Sequence, residues 1–226
     1  AGAVSAIGAF NGWGEQPMER SDNFYGRVVP GAREGMMYKY RIHEGSGRVI
    51  DHCDPYGFGM ELRPNTASII RDLNAYKFGD QKWMKSRTNR MNEPLNIYEL
   101  HAGSWRRKEN GDFYSYTELG ELLIPYLLEN GYNYIEFLPL AEHPCDESWG
   151  YQVTGFFSPT SRYGTAAELM ELVDMLHRNN IGVIMDYVPV HFAVDDYGLA
   201  YYDGTALYEY PSTDVGYSEW GSHNFM

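Results

Sequence analysis

Three groups of polar and aromatic residues fall where a site could be built. Asp186 and His191 lie five residues apart in Asp186-Tyr187-Val188-Pro189-Val190-His191-Phe192, on either side of the end of an apolar run. A carboxylate there can orient a partner by hydrogen bonding, and an imidazole can donate, accept or carry a proton near neutral pH. Trp149-Gly150-Tyr151-Gln152, in a loop continuing to Phe157-Ser158-Pro159, combines two flat rings with an amide. Tyr98-Glu99-Leu100-His101 with Gly103-Ser104-Trp105 is the third group. Each residue alone also has an ordinary structural role: Asp186 as a turn-forming acid, His191 as a satisfied loop histidine, Tyr151 as a packing ring. Three such groups at successive strand ends describe a site.

The elements that must carry these groups are written in two different patterns. Residues 1–72 hold short apolar runs at Val4–Phe10, Tyr25–Val29, Met36–Ile42 and Ser68–Asp72. Turn signals separate them at Asn11-Gly12, Pro30-Gly31, Gly45-Ser46-Gly47 and Pro64-Asn65, and no stretch keeps a helical period. That spacing predicts a small immunoglobulin-like β-sandwich. Residues 73–93 read as a linker, and in the run from 77 to 90 Lys77, Lys82, Lys85, Arg87 and Arg90 face only Asp80; a solvated connector is the expectation, with a binding patch as the alternative.

From Pro94 to Met226 the pattern becomes strand, helix, strand, helix, strand. Leu95–Leu100, Tyr132–Leu138 and Gly182–Val188 are the strands. Ser115 with Glu118 and Thr165 with Glu168 form capping boxes that open two helices. The first helix carries Leu119, Leu122, Leu123, Tyr126 and Leu127 at helical spacing, with Pro125 expected to bend it and Asn130-Gly131 to end it. Strands this apolar belong in a parallel sheet covered on both faces. No Gly-x-Gly-x-x-Gly or Gly-Lys-Ser/Thr loop follows any strand, so no phosphate cradle is present in the sequence. The long polar and aromatic loops after each strand suit a barrel of β/α units, which builds its site at the C-terminal ends of its strands.

Composition excludes several classes. The chain has 226 residues, with 18 Lys plus Arg against 31 Asp plus Glu and a net charge of −13. This excess of acid argues against nucleic acid or an anionic membrane as partner. No apolar run approaches the roughly 18 residues of a membrane span. Cys53 and Cys145 make neither a disulfide framework nor a metal-ligand spacing, so a reducing, cytoplasmic home is expected. The 20 Tyr, 10 Phe and 5 Trp suit a large neutral ligand with C–H faces, such as a sugar chain, or an aromatic core. Ala1 and Met226 read as internal points of a longer chain.

The stretch Asp186–Phe192 resembles the first conserved region of the α-amylase superfamily of glycoside hydrolases and transglycosylases. Tyr98–His101 with Gly103-Ser104-Trp105, Trp149–Gly155 through Arg162-Tyr163-Gly164-Thr165, and Asp203-Gly204-Thr205 with Leu207-Tyr208-Glu209 are similar to the members that introduce branches into glycogen-like glucans. Gly8–Trp13 and Tyr38-Lys39-Tyr40 resemble the starch-binding-like β-sandwich that precedes the barrel, so the resemblance covers nearly the whole chain.

The resemblance implies a multidomain protein: a carbohydrate-binding-like β-sandwich over 1–72, then the first part of a TIM (β/α)8 barrel over 94–226. It implies cleavage of an α-1,4 glucan and transfer of the segment to a 6-hydroxyl by a retaining double displacement. A trehalose-releasing or debranching hydrolase and a non-catalytic glucan-binding protein are the alternatives. The partner would be an α-1,4-glucan such as glycogen or starch, and the compartment the cytoplasm, or a plastid in a plant or alga. Asp186 would orient the catalytic machinery, His191 would donate a hydrogen bond to the sugar before the cleaved bond, and Tyr151 would stack under it. Trp149 and Gln152 would lie in the same substrate-binding loop, and Trp13 and Lys39 match glucan contacts of the module. The second tryptophan expected near Arg48-Val49-Ile50-Asp51 is missing, which leaves glucan contact and a purely structural role both open for the module. Calcium-dependent members carry Asn where this chain has Val190, so no metal is expected there, and no cofactor is implied. The nucleophile and general acid belong to strands four and five and would lie beyond Met226; neither Asp195 nor Asp196 takes their place. The 226 residues alone would be inactive and poorly soluble, with the third strand an open apolar edge.

Overall fold

The computed structural model describes residues 1–87 and 93–226. Arg90, counted above in the basic connector, and the rest of 88–92 lie outside the described residues. In chain order the first elements are β1 (Ala3–Gly8), β2 (Gln16–Pro17), β3 (Glu19–Ser21), β4 (Phe24–Gly26), β5 (Met37–His43), β6 (Val49–His52) and β7 (Ser68–Ile69). Next come α1 (Gln81–Ser86), β8 (Ile97–Leu100), α2 (Ala102–Trp105), α3 (Tyr116–Glu129) and β9 (Tyr134–Phe137). The last are β10 (Ala141–Glu142), β11 (Gly155–Pro159), α4 (Ala166–Arg178), β12 (Gly182–Met185), β13 (His191–Phe192), α5 (Thr213–Gly216) and β14 (His223–Asn224). They form two compact units. One gathers Ala1–Asp72, Ala141–Pro159 and Val188–Met226; the other holds Leu73–Leu140 and Thr160–Tyr187.

In the first unit a five-stranded sheet runs β2-β1-β5-β6 with β7 also paired to β5, and β3 and β4 form a separate hairpin. β1 and β5 are antiparallel from Ala3 opposite His43 to Gly8 opposite Tyr38. Ile7 and Ile42 are buried in the core beside this pairing. The turn expected at Asn11-Gly12 is present. Asn11 Oδ1 accepts from the Gly8 amide and its Nδ2 donates to the Ala6 carbonyl, while Gly12 takes the left-handed backbone that suits glycine. β6 has no counterpart in the sequence reading. Arg48, Asp51 and His52 break its apolar pattern, and what makes it a strand is pairing with β5 and the two-pronged ion pair of Arg41 with Asp51, at 2.7 and 2.8 Å.

The loops after β9 and β12 belong to this unit. The Cys53 amide donates to the Tyr197 carbonyl at 2.8 Å, and Tyr202 Oη donates to the Cys53 carbonyl at 3.0 Å. His52, fully buried, donates through Nδ1 to the Gly198 carbonyl at 2.9 Å with its ring 4.5 Å from that of Tyr202. Burial pushes its pKa down, so the ring is held neutral.

In the second unit β8, β9 and β12 form a parallel sheet in the order β12-β9-β8, with Ile97 and Gly182 both opposite Tyr134. Successive parallel strands as neighbours, each joined by a helix, are the repeating unit of a β/α barrel. Both capping boxes form as the sequence indicates: the Ser115 and Thr165 amides each donate to the glutamate three residues on at 2.7 Å, and each hydroxyl accepts the reciprocal amide. α3 continues through Pro125 to Glu129 and ends at Asn130, with Gly131 left-handed. Leu119, Leu123, Leu127, Leu172 and Leu176 bury their side chains with Ile135 and Phe137 in one core. Gly182 is required where β12 meets β9, because a Cβ there would come within 2.1 Å of the Tyr134 ring. β9 is paired on both sides, whereas β12 is an edge whose Met185 is exposed, so burial on both faces does not extend to the third strand.

The stretch read as a solvated connector contains folded structure. α1 buries Trp83, whose ring stacks on His177 at 5.1 Å, and Asp80 accepts from His177 Nδ1 at 2.7 Å. Asp174 accepts from the Gly79 amide and from Tyr76 Oη at 2.7 and 2.8 Å. A six-residue helix is too short to stand alone, and its lysines hide the one apolar residue that docks it.

Two substitutions separate local from tertiary contributions in this unit. Ser115→Ala should lower stability by about 1 kcal/mol through loss of the cap, and Leu172→Ala by about 2–5 kcal/mol through the cavity it leaves. The shift in urea or thermal midpoint of the full-length protein measures both, and equal effects would contradict a core built on α3 and α4.

Candidate functional site

The first unit contains a cavity of about 650 Å³ lined by Tyr151, Gln152, Val188, Val190, His191 and Trp220, with Glu147 and Ser148 at its edge. Small-molecule sites span about 300–1,000 Å³. Its walls come from three segments far apart in sequence: 147–152, 188–191 and Trp220.

His191 is placed by strand alternation. β13 pairs antiparallel with β14, His191 opposite Asn224 and Phe192 opposite His223. Side chains alternate faces along a strand. Phe192 is fully buried against Phe225, 4.7 Å between rings, and Phe225 in turn packs on Phe156 at 5.3 Å. His191 therefore lies on the face opposite this aromatic cluster and lines the cavity. The Ala193 amide donates to the Val153 carbonyl at 3.0 Å, tying β13 to the loop that carries Tyr151.

Tyr151 and Gln152 are placed by a tight turn. Residues Asp146–Ser148 form a 3-10 turn, and Trp149 and Gly150 both take positive φ, 55° and 92°. For a tryptophan this conformation is strained. The Trp149 amide donates to the Asp146 carbonyl and the Tyr151 amide to the Ser148 carbonyl, while Ser148 Oγ donates to the Cys145 carbonyl. Asp146 is anchored by an ion pair with Arg63. The reversal sends Tyr151 into the cavity wall.

Of the residues singled out in the sequence, Tyr151, Gln152 and His191 come together in this cavity. Trp149 sits in the same turn, 53% exposed, and is not part of the cavity wall. Asp186 belongs to the second unit, directly after β12, where its amide extends the ladder to the Phe137 carbonyl at 2.9 Å. Trp13 is exposed with φ 64° at the end of the β1 turn, while Lys39 sits mid-strand on β5 opposite Ile7 and donates to Thr66 Oγ1. The group around Tyr98 and Trp105 is largely packing: Trp105 Nε1 donates to Tyr98 Oη, and Tyr98 rests against Tyr126 and Tyr132.

Trp220 was not singled out in the sequence. It lines the cavity with its ring 5.7 Å from that of His191, is 65% exposed, and its carbonyl accepts from Gln152 Nε2 at 3.1 Å. Val190 presents only carbon to the same space. Among the described residues no group of three or more His, Cys, Asp or Glu is placed to hold a metal ion, and no helix is long and apolar enough to cross a membrane. The arrangement offers two ring faces, an amide and an imidazole that burial holds toward its neutral form. That set suits an uncharged ligand rich in hydroxyls and C–H faces.

A β-sandwich joined to successive parallel β/α units, with the loops after the strands shaping a cavity, is the organisation of a carbohydrate-binding module followed by the start of an amylase-type barrel. Residues 1–57 match carbohydrate-binding module 48, the isoamylase N-terminal domain, and residues 122–205 match the α-amylase catalytic domain. It is similar to the 1,4-alpha-glucan branching enzyme GlgB of Halothermothrix orenii, 48% identical with 100% of this chain and 37% of the relative covered. For GlgB of Bacillus caldolyticus the figures are 47%, 98% and 34%, and for that of Fusobacterium nucleatum 43%, 99% and 37%. The chain thus spans about a third of the length of these relatives. Among solved structures, a Salmonella typhimurium protein described as an alpha amylase superposes with a TM-score of 0.76 at 24% identity, covering 98% of this chain and 34% of that one. The catalytic module of the glycogen-degrading pneumococcal virulence factor SpuA gives 0.75 at 18%, covering 100% and 39%.

Burial lowers the His191 pKa below the ordinary histidine range. Its unfolded form therefore takes up the proton first, and the stability it contributes is present above about pH 6.5 and lost as the pH falls from there through the lower folded-state pKa. Histidine NMR of the full-length protein should show His191 titrating below about 6.5; a midpoint above it would contradict the neutral ring.

Proposed function

We propose that this chain is the amino-terminal part of a 1,4-α-glucan branching enzyme, acting on glycogen- or starch-like chains. The observation that carries the reading is 43–48% identity with branching enzymes over 98–100% of this chain, through both the sandwich and the start of the barrel. The cavity chemistry supports it, since rings and neutral donors suit a neutral polyhydroxylated chain. On this reading residues 94–226 supply the first three strands of an eight-stranded barrel, and residues after Met226 supply the nucleophile and general acid.

The chemistry is a retaining double displacement. A carboxylate attacks the anomeric carbon as an acid protonates the leaving oxygen, and a glucan 6-hydroxyl then takes the place of water in resolving the glycosyl-enzyme. This chain's residues bind and orient. Tyr151 stacks under the sugar preceding the cleaved bond, and His191 donates to one of its hydroxyls. Contacts that tighten as the ring flattens toward its oxocarbenium-like transition state raise kcat rather than affinity alone. Asp186 orients the catalytic groups from the end of the third strand. Trp149 and Gln152 shape the loop, and Trp13 and Lys39 offer a glucan contact on the module. Two unpaired cysteines, Cys53 and Cys145, are compatible with a cytoplasmic setting.

Product analysis tests the reading. The full-length protein on amylose should create α-1,6 branches with few new reducing ends; abundant reducing ends would make it a hydrolase, and neither product would make it a binding protein. Tyr151→Ala should lower kcat/KM by about 10- to 100-fold, the loss of one stacking surface and its part in the transition state. The 226 residues expressed alone should make no branches.

A further inference from the structure

The polarity of a hydrogen-bond chain behind His191 assigns its tautomer. Ser218 Oγ accepts from two backbone amides, Trp220 at 3.2 Å and Ser222 at 3.3 Å. A hydroxyl has two acceptor positions and one proton. With both acceptor positions taken, Ser218 must donate, and its hydroxyl partner is Ser222 Oγ at 2.6 Å. Ser222 Oγ then has its own proton and one lone pair left, and it lies 2.8 Å from His191 Nδ1.

Two arrangements satisfy that last distance. If Nδ1 carried the proton, Ser222 would accept twice and its own hydroxyl hydrogen would need another acceptor. No other acceptor for it exists among the described residues, and Ser222 is 1% exposed. An unsatisfied buried hydroxyl is disfavoured. If Ser222 donates to Nδ1, every group in the chain is satisfied. The imidazole then carries its proton on Nε2, the ring nitrogen that has no protein partner among the described residues. The His191 ring lines the cavity beside Tyr151 and Trp220.

We propose that Ser218 and Ser222 are positioning residues that lock neutral His191 as the Nε2–H tautomer, making the imidazole a fixed hydrogen-bond donor to a ligand hydroxyl. The turn over residues 218–222 is suited to this. Ser218 and Ser222 bond through their backbones, the Ser218 amide to the Ser222 carbonyl at 2.8 Å, and Gly221 supplies the positive φ of 73° that brings the two hydroxyls together. A donor fixed in this way needs no ring flip or proton shift when a sugar hydroxyl arrives, which is preorganisation of the kind that favours a transition state.

The identity of the ligand as a glucan rests on the branching reading, but the tautomer does not, and the test separates them. Ring-nitrogen NMR on histidine-labelled full-length protein, without substrate, should find His191 protonated at Nε2 and bare at Nδ1. Ser222→Ala should turn that single form into a mixture of tautomers and lower kcat by about tenfold with a smaller change in KM. Ser222→Thr, which keeps the hydroxyl, should restore the wild-type pattern, and Ser218→Ala should show the Ser222→Ala effect in weaker form. A proton on Nδ1 in the wild type, or an unchanged nitrogen pattern in a folded Ser222→Ala protein, overturns the proposal. If the wild type makes no α-1,6 branches while His191 still carries its proton on Nε2, the branching reading fails and the tautomer lock stands.

Discussion

Two two-residue strands hold the cavity together. The pairing of His191-Phe192 with His223-Asn224 is too short to be stable alone; an isolated pair of this size needs a hydrophobic face to persist. Phe192 provides it, buried against Phe225, which reaches Phe156 in turn. Because side chains alternate along a strand, burying Phe192 on one side commits His191 to the other. The same pairing brings Ser222 and Trp220 to the histidine from thirty residues away in sequence. A single packing preference, an aromatic ring leaving water, thereby fixes a polar site.

The aromatic richness of the chain divides into two populations with different duties. Tyr98, Trp105, Tyr126 and Tyr132 contact one another in the barrel-type unit. Tyr116 and Tyr163 meet edge to face in its core, with the Tyr116 hydroxyl donated to the Thr160 carbonyl. Burying a tyrosine requires a partner for its hydroxyl, and these find one. Tyr151 and Trp220 differ in keeping ring surface toward open space. Composition counts both populations together; only position distinguishes a ring that packs from a ring that lines an open cavity.

Local chemistry was legible in the sequence wherever it acts over three or four residues. Ser115 with Glu118 and Thr165 with Glu168 open their helices where the capping rule puts them. Asn11-Gly12 turns as expected. Strand ends were less legible: β12 stops at Met185 although the sequence reading carries the strand to Val188, because strand length follows the neighbour's hydrogen-bonding groups as well as hydrophobicity. β6 and α1 were missed for one reason. Each is made by long-range partners, Arg41 with Asp51 in one case and Trp83 with His177 in the other. Of the site, Tyr151, Gln152 and His191 stood out because they follow strands. Trp220 lies in a stretch with no period to mark it, and only the Ser218–Ser222 turn around Gly221 hints that the chain reverses there.

The grouping of residues 141–159 and 188–226 with the β-sandwich bears on how such a protein can change over time. Modules of this kind are usually pictured as beads that recombination can exchange freely. Here the Cys53 amide, the Cys53 carbonyl and the His52 ring are all engaged by Tyr197, Tyr202 and Gly198, residues of a loop that also leads away from His191. A foreign sandwich spliced in at residue 72 would leave three buried hydrogen-bonding groups of that loop to be matched again. Sandwich and loops are thus bound to be inherited as a pair, and their sequences should drift in step while the helices α3 and α4 drift on their own.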